Sequence, residues 1–391
     1  MQPFVRTIHP RSVLSFAPDN EPLPLTPLNV LIGPNGSGKS NLIEIFELLR
    51  AAPIDLAAAI RDGGGIGEWL WKGSGHVRAI VSADLQIPKV GSLRYRLGFG
   101  AEDQGLEVHN EAVEEAGGLP DGAEKGSAYY FFASGHPATI MRYVEGKAER
   151  RRLTRLDIQQ SILSQRKDPD LYPEVTAVGR SFGRILTFRE GSFGRYAQLR
   201  QPQPADLPND VLLPDARNLG LILNAIEHSD VWPRLNDAIR RFLPRFKRLS
   251  TLVQGGTVQI FLHEDGLRTP IPATRLSDGT IRFIALLAIL LRPGLAPLIC
   301  LEEPELGLHP DALTLIAELL VEASQHTQLV VTTQSDVLVS ALSEQAESVV
   351  ICENVASASR FSRLESDKLQ FWMEKYRLGE IWRMGELGGN P

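Results

Sequence analysis

The chain has 391 residues, 43% hydrophobic and 23% charged. That is the composition of a soluble globular protein, and the length predicts two or three domains. Two cysteines, Cys300 and Cys352, are too few for a disulfide framework or a cysteine-rich zinc site and predict a reducing cytoplasm. The N-terminus lacks the apolar run of a signal peptide, and the longest apolar stretch, 283–291, is too short to span a bilayer, so neither secretion nor a membrane partner is expected.

The net charge of −6 is unevenly spread. Residues 142–248 carry 20 Lys and Arg against 13 Asp and Glu. Such a basic segment on an acidic body reads either as a polyanion-binding surface or as arginines paired with carboxylates at domain contacts.

In chain order, 28–32 (LNVLI) reads as a buried parallel strand and 39–50 as a helix with its apolar face on a sheet. Residues 76–100 hold two alternating strands, followed by an acidic, Gly-rich connection over 101–126 and strand-like text at 128–133 and 139–145. From 150 to 248 the text turns to Arg-rich helices broken by Pro and Gly, with a proline-rich connector at 200–214. Strands at 257–262, 298–302 and 328–333 alternate with helices at 280–291 and 311–324. The two ends thus read as α/β, with a helical lobe inserted between them.

Gly33-Pro34-Asn35-Gly36-Ser37-Gly38-Lys39-Ser40 fits G-x-x-x-x-G-K-[ST] and lies between a predicted strand and a predicted helix, the context a phosphate loop requires. Its glycines let backbone N–H groups wrap phosphates, Lys39 neutralises β/γ oxygens and Ser40 holds Mg²⁺. The strand 297–303 ends in Glu302 and Glu303, which strand alternation aims to opposite sides: one toward the metal shell, the other toward an attacking water. Leu276-Ser277-Asp278-Gly279-Thr280 opens an apolar helix, with Ser277 as N-cap and Gly279 allowing close approach to a phosphate.

GPNGSGKSN, RLSDGT, ICLEEPELGLHP and VVTTQSD, in that order, resemble the ABC-type ATPase heads of the RecF/SMC group, most closely the small ATPases grouped with the OLD proteins. The resemblance covers residues 1–50 and about 270–345. It implies an α/β P-loop ABC-type head with an antiparallel β subdomain, built from 1–147 and 249–360. The mainly helical Arg-rich lobe is then 148–248, and an aromatic tail, 361–391, packs on the head. It further implies ATP sandwiched between two copies. Asn35, Gly36, Ser37, Gly38, Lys39, Ser40 and Asn41 form one copy's phosphate loop, and Ser277 and Gly279 complete the other copy's γ-phosphate shell. Glu303 matches the catalytic base, and Arg11 matches an arginine of the opening strand near the nucleotide.

Three departures from the family pattern bear on chemistry. The usual metal-shell Asp is Glu302, and the usual switch His is Gln334, which hydrogen-bonds a γ-phosphate but carries no imidazole proton, so hydrolysis is expected to be slow. The metal-contacting Gln has no clear counterpart, Gln86 in a strand being a weak match. Elsewhere, His309 reads as a loop-packing residue, Cys300 as a core thiol, and Trp372, Tyr376 and Trp382 as a tail packed on its own head. The clusters Arg150-Arg151-Arg152 with Arg155, and Arg240-Arg241 with Arg245, Lys247 and Arg248, read equally as phosphate contacts or solvated faces.

Two functions follow. In the first, the chain is a cytoplasmic ATPase that dimerises through ATP and acts on a DNA backbone in repair or phage defence. In the second, it is a regulatory ATPase that controls a separate nuclease or toxin. About 40 residues follow Cys352, too few for the Toprim nuclease of OLD proteins, so any cutting is expected from a partner.

Overall fold

The computed structural model describes residues 2–73, 75, 78–102, 105–117, 128–189, 197–292, 296–365 and 372–388. Strands β1 (Val5–Arg11) and β2 (Leu23–Pro24) lead into β3 (Leu28–Ile32), every residue of which is buried. Helix α1 (Lys39–Ala51) follows and buries Leu42, Ile43, Ile45, Phe46, Leu48 and Leu49, the stripe its periodicity predicts. After short helices α2 (Leu56–Asp62) and α3 (Ile66–Trp69) come three long strands, β4 (Arg78–Ile87), β5 (Gly91–Glu102) and β6 (Gly105–Glu115). The connection expected over 101–126 is thereby corrected. Its first half is β6, which buries Leu106, Val108 and Val113, because sparse apolar residues at alternate positions suffice when one face is covered. Residues 118–127 lie outside the described residues. Strands β7 (Tyr130–Ala133), β8 (Thr139–Val144) and β9 (Lys147–Arg152) complete an eight-stranded antiparallel sheet in the order β2-β1-β4-β5-β6-β7-β8-β9.

The lobe expected at 148–248 is not one helical unit. Its start is β9, in which Arg150, Arg151 and Arg152 are strand residues paired with β8 rather than helical ones. Helices α4 (Ile162–Gln165) and α5 (Pro173–Phe182) pack under the antiparallel sheet, and β10 (Leu186–Phe188) pairs with a strand more than a hundred residues away. Then β11 (Gln203–Pro204), α6 (Leu219–Glu227), α7 (Trp232–Phe242), β12 (Phe246–Gln254), β13 (Thr257–Glu264) and β14 (Ile271–Pro272) make a small third sheet with two covering helices. Long-range pairing, invisible in local periodicity, divides the segment among all three sheets.

The remaining elements are α8 (Asp278–Leu291), β15 (Leu298–Glu302), α9 (Pro310–Ala323), β16 (Gln328–Thr332), α10 (Asp336–Ala341), β17 (Val349–Val355), β18 (Ala358–Arg363) and α11 (Leu378–Arg383). The central sheet runs β10-β15-β16-β3-β17-β18, parallel except for β18. It is the middle layer. Leu31, Leu298, Cys300, Val330 and Val350 face a core shared with α1 and the antiparallel sheet. Val30, Ile32, Ile299, Leu301 and Val331 face a second core with α6 to α9. Burial on both faces explains why these strands read as continuous apolar runs. In the tail, Trp382 of α11 is fully buried in the second core and Trp372 packs against it, while 366–371 and 389–391 lie outside the described residues.

Candidate active site

Strands β15, β16 and β3 are adjacent and parallel, so their C-terminal ends emerge side by side. That edge is where open α/β sheets place their ligands, and each strand delivers one part of the site. From β3 comes the glycine-rich loop 33–40, the candidate phosphate loop. Gly38, the residue before α1, has φ +96°, and a Cβ there would lie 2.0 Å from Ser359 Oγ, so only glycine fits. Lys39 is buried, and its Nζ donates to the carbonyls of Gly33 (2.6 Å) and Pro34 (3.0 Å). Desolvation pushes its pKa below the usual lysine value. Asn35, Gly36 and Ser40 are exposed at the rim, whereas Ser37 is fully buried. Asn41 donates from Nδ2 to Ser15 Oγ at 2.7 Å, fastening α1 to the turn after β1.

From β15 come the two carboxylates. Ser40 Oγ donates to Glu302 Oε1, joining residues 262 apart in sequence. The strand ends there, and Glu303 takes φ +43°, a left-handed conformation that costs a non-glycine residue of order 1 kcal/mol. This turn, rather than simple strand alternation, separates the two carboxylates. Its backbone is fixed by Glu303 N–H donating to the Thr332 carbonyl at 3.0 Å. From the end of β16, Gln334 donates through Nε2 to Glu303 Oε1. Hydroxyl and carboxylate oxygens meeting at the mouth of a phosphate loop form a hard donor set of the kind Mg²⁺ takes.

Three further residues shape this edge. Arg189, directly after β10, lies among three carboxylates: Glu47 at 3.1 Å, Glu44 at 3.5 Å and Glu302 at 3.7 Å. No local motif marks it; only the pairing of β10 with β15 brings it there. Glu305 is the second. It accepts from Thr333 Oγ1 (2.6 Å) and from the Gln334 backbone N–H (2.9 Å), and its burial raises its pKa. The third, Arg200, is buried, donates to the Leu276 carbonyl at 2.7 Å and pairs with Asp278, bracing the turn that carries Ser277. Gln86 stands apart from all of these: it lies in β4, bonded to Ser92 Oγ at 2.8 Å across the β4–β5 hairpin.

Ser277 caps α8, its Oγ accepting from Thr280 N–H at 3.1 Å, and it is exposed. The turn's contacts in this chain are with the segment that follows Glu303. Gly279 faces Gly307 so closely that a Cβ would sit 2.4 Å from the Gly307 carbonyl oxygen, and Arg282 donates to the Leu306 carbonyl. His309, expected to pack in this loop, is instead exposed and caps α9 by accepting from the Asp311 N–H at 3.3 Å. Arg11 lies on the outer face of the antiparallel sheet, in a pocket with Arg78, Arg96 and His109. The arginines of 234–245 meet carboxylates: Arg241 pairs with Glu318 at 3.1 Å and Arg234 with Glu322, fastening α7 to α9.

No helix among the described residues is long and apolar enough to cross a membrane. No curated protein sequence matches the chain. Among solved structures, it is similar to an SMC head bound to the C-terminal winged-helix domain of ScpA, with a TM-score of 0.60 and 16% identity over 94% of this chain and 100% of that one. A Pyrococcus furiosus SMC head with an extended coiled coil, bound to the C-terminal domain of ScpA, gives 0.56 and 15% over 96% and 99%. A Pyrococcus yayanosii SMC head with a coiled coil and joint gives 0.52 and 13% over 96% and 99%. The fold is therefore that of an SMC head domain. A family model described as "AAA domain, putative AbiEii toxin, Type IV TA system" matches residues 28–340, and the chain belongs to that family.

Proposed function

We propose that the chain binds ATP with Mg²⁺ at the joined ends of β3, β15 and β16 and hydrolyses it, two copies closing around the nucleotide. The observation that carries this is the convergence, from three separate stretches of sequence, of Ser40 with Glu302 and of Glu303 with Gln334. Lys39 and the loop N–H groups bind the phosphates. Ser40 and Glu302 would hold Mg²⁺, which would supply charge neutralisation at the phosphates. Glu303 accepts a proton from the attacking water, and Gln334, bonded to it, orients that carboxylate without taking the proton itself. Ser277, exposed and braced by Arg200, serves the nucleotide of the other copy, with Gly279 allowing its close approach.

The nucleotide cycle acts either on DNA, in repair or defence, or on a separate nuclease or toxin held as a partner. Within the second basic cluster Arg241 pairs with Glu318 and Arg240 with Asp237, and these contacts with carboxylates favour the second. Two measurements test the reading. Calorimetry on Lys39→Ala should show ATP binding abolished; undiminished affinity refutes the site. Glu303→Gln should bind ATP and Mg²⁺, fail to hydrolyse, and sediment as a more stable dimer with ATP. Stimulation of the wild-type ATPase by DNA selects the first target, and co-purification with the product of a neighbouring effector gene the second.

A further inference from the structure

The antiparallel sheet covers a core with one face and turns the other outward. On that outer face, strand register sets Arg11, Ile80, Gly98, Asn110 and Ala133 side by side across β1, β4, β5, β6 and β7. Gly98, lacking a side chain, leaves a floor in the middle of this row. Arg78 on β4 and Arg96 on β5 stand two residues from the row, one on each side of it. A register shift opposite Gly98 leaves His109 as an extra residue in β6, a bulge that brings it to the same pocket. The result is a pocket of about 300 Å³ with three guanidinium groups around a glycine floor, and no residue of the phosphate loop lines it.

The protein's own groups do not fully satisfy this pocket. Arg96 is 6% exposed, yet its Nε has no hydrogen-bond acceptor, and Asn110 Oδ1 is likewise buried without a donor. Glu114 lies near enough to Arg96 to feel its charge, but the acceptor its Nε needs is not supplied. His109 already meets Glu107, Nδ1 to Oε1 at 3.5 Å, which leaves Nε2 as its second polar atom. A buried polar atom without a partner is costly, and a cavity lined by three guanidinium groups is set for an anion. Arginine forks match the paired oxygens of phosphate, and an Asn amide turned through its planar axis adds an N–H donor.

We propose that this outer-face pocket is a phosphate site separate from the nucleotide loop, taking a terminal phosphomonoester through Arg11, Arg78 and Arg96. Its size suits one phosphate with a small group attached, so either a free phosphorylated metabolite or the 5′ end of a nucleic-acid strand carries the recognised chemistry. This does not depend on the proposed ATPase activity.

Calorimetry on the full chain, in the Lys39→Ala background that silences the phosphate loop, tests it with three probes: inorganic phosphate, phenyl phosphate, and a 5′-phosphorylated oligonucleotide beside its unphosphorylated twin. Binding of phenyl phosphate is expected, weakened about tenfold by Arg96→Gln and by Arg78→Gln, as for loss of one charge-assisted contact. Arg78 is exposed, so its variant keeps the test valid if Arg96→Gln fails to fold. Arg151→Gln, on β9 and outside the pocket, should change nothing. A strong preference for the phosphorylated oligonucleotide over its twin and over phenyl phosphate identifies a strand end as the source; equal binding of phenyl phosphate identifies a small ligand. No heat with any probe at millimolar concentration, or heat that survives both arginine substitutions, overturns the proposal.

Discussion

Glu111 offers the sharpest physical test of the fold that carries this site. Its carboxyl is 1% exposed and receives Tyr95 O–H at 2.7 Å, Ser161 O–H and the Ile162 N–H at 2.8 Å, tying β6 to the start of α4. Burial pushes its pKa up to about 7, although the three donors pull the other way. In the unfolded chain it should titrate near 4.5. The folded state thus holds its proton more tightly, and the contribution to stability is fully present below pH 4.5 and lost as pH rises to 7. A gap of about 2.5 units corresponds to about 3 kcal/mol. Glu111→Gln replaces the acid with a neutral group of the same shape and removes this dependence. Urea unfolding of both proteins from pH 4.5 to 8 should show the variant gaining on the wild type as pH rises, by about 3 kcal/mol in total. Parallel profiles would refute the reasoning, because they would mean that the carboxyl titrates as it does in water.

Other consequences lie at the sheet edge. Arg189→Gln removes a positive charge 3.7 Å from Glu302 of the proposed metal shell; with a water-like dielectric this should lower the Mg²⁺ concentration for half-saturation by roughly tenfold, read by a fluorescent nucleotide. Weaker Mg²⁺ binding would instead mean that Arg189 is needed to hold Glu302 in place. Glu305→Ala deletes the acceptor that fixes Thr333 and Gln334, so kcat should fall about tenfold or more while ATP affinity, by calorimetry, stays unchanged. Ser277→Arg should leave ATP binding to each copy intact and block both hydrolysis and ATP-dependent dimerisation; full turnover in this variant would sink the shared-site reading.

The glycine-rich turn before α1, the strand ending at Glu302 and the capped turn at Ser277 were legible because each is a contiguous motif whose backbone conformation its own residues dictate. The central strands were legible for a related reason, since burial on both faces leaves an unbroken apolar run. The division of 148–248 among three sheets was not, because β10 has three residues and its partner lies far along the chain. Arg189 was hidden for the same reason. Sequence alternation accounts for Glu302 and Glu303 only in part: the backbone turn at Glu303 depends on its bond to Thr332 in the neighbouring strand, which no local pattern announces. The Arg-rich text of 150–152 read as helical because arginine favours helices, but the hairpin with β8 overrides that preference.

The contact between Gly279 and Gly307 has a consequence for timing. With backbone against backbone and Arg282 bonded to the Leu306 carbonyl, the Ser277 turn and the loop after Glu303 are packed directly on one another. If two copies close around the nucleotide as proposed, the turn would serve the neighbour's nucleotide, while Glu303, at the start of the loop, would serve its own. Any push on the turn is then felt at Glu303 of the same chain. The two nucleotides of a pair would fire in concert, with a Hill coefficient above one, and a spacer that loosened this joint would leave each site active but deaf to the other.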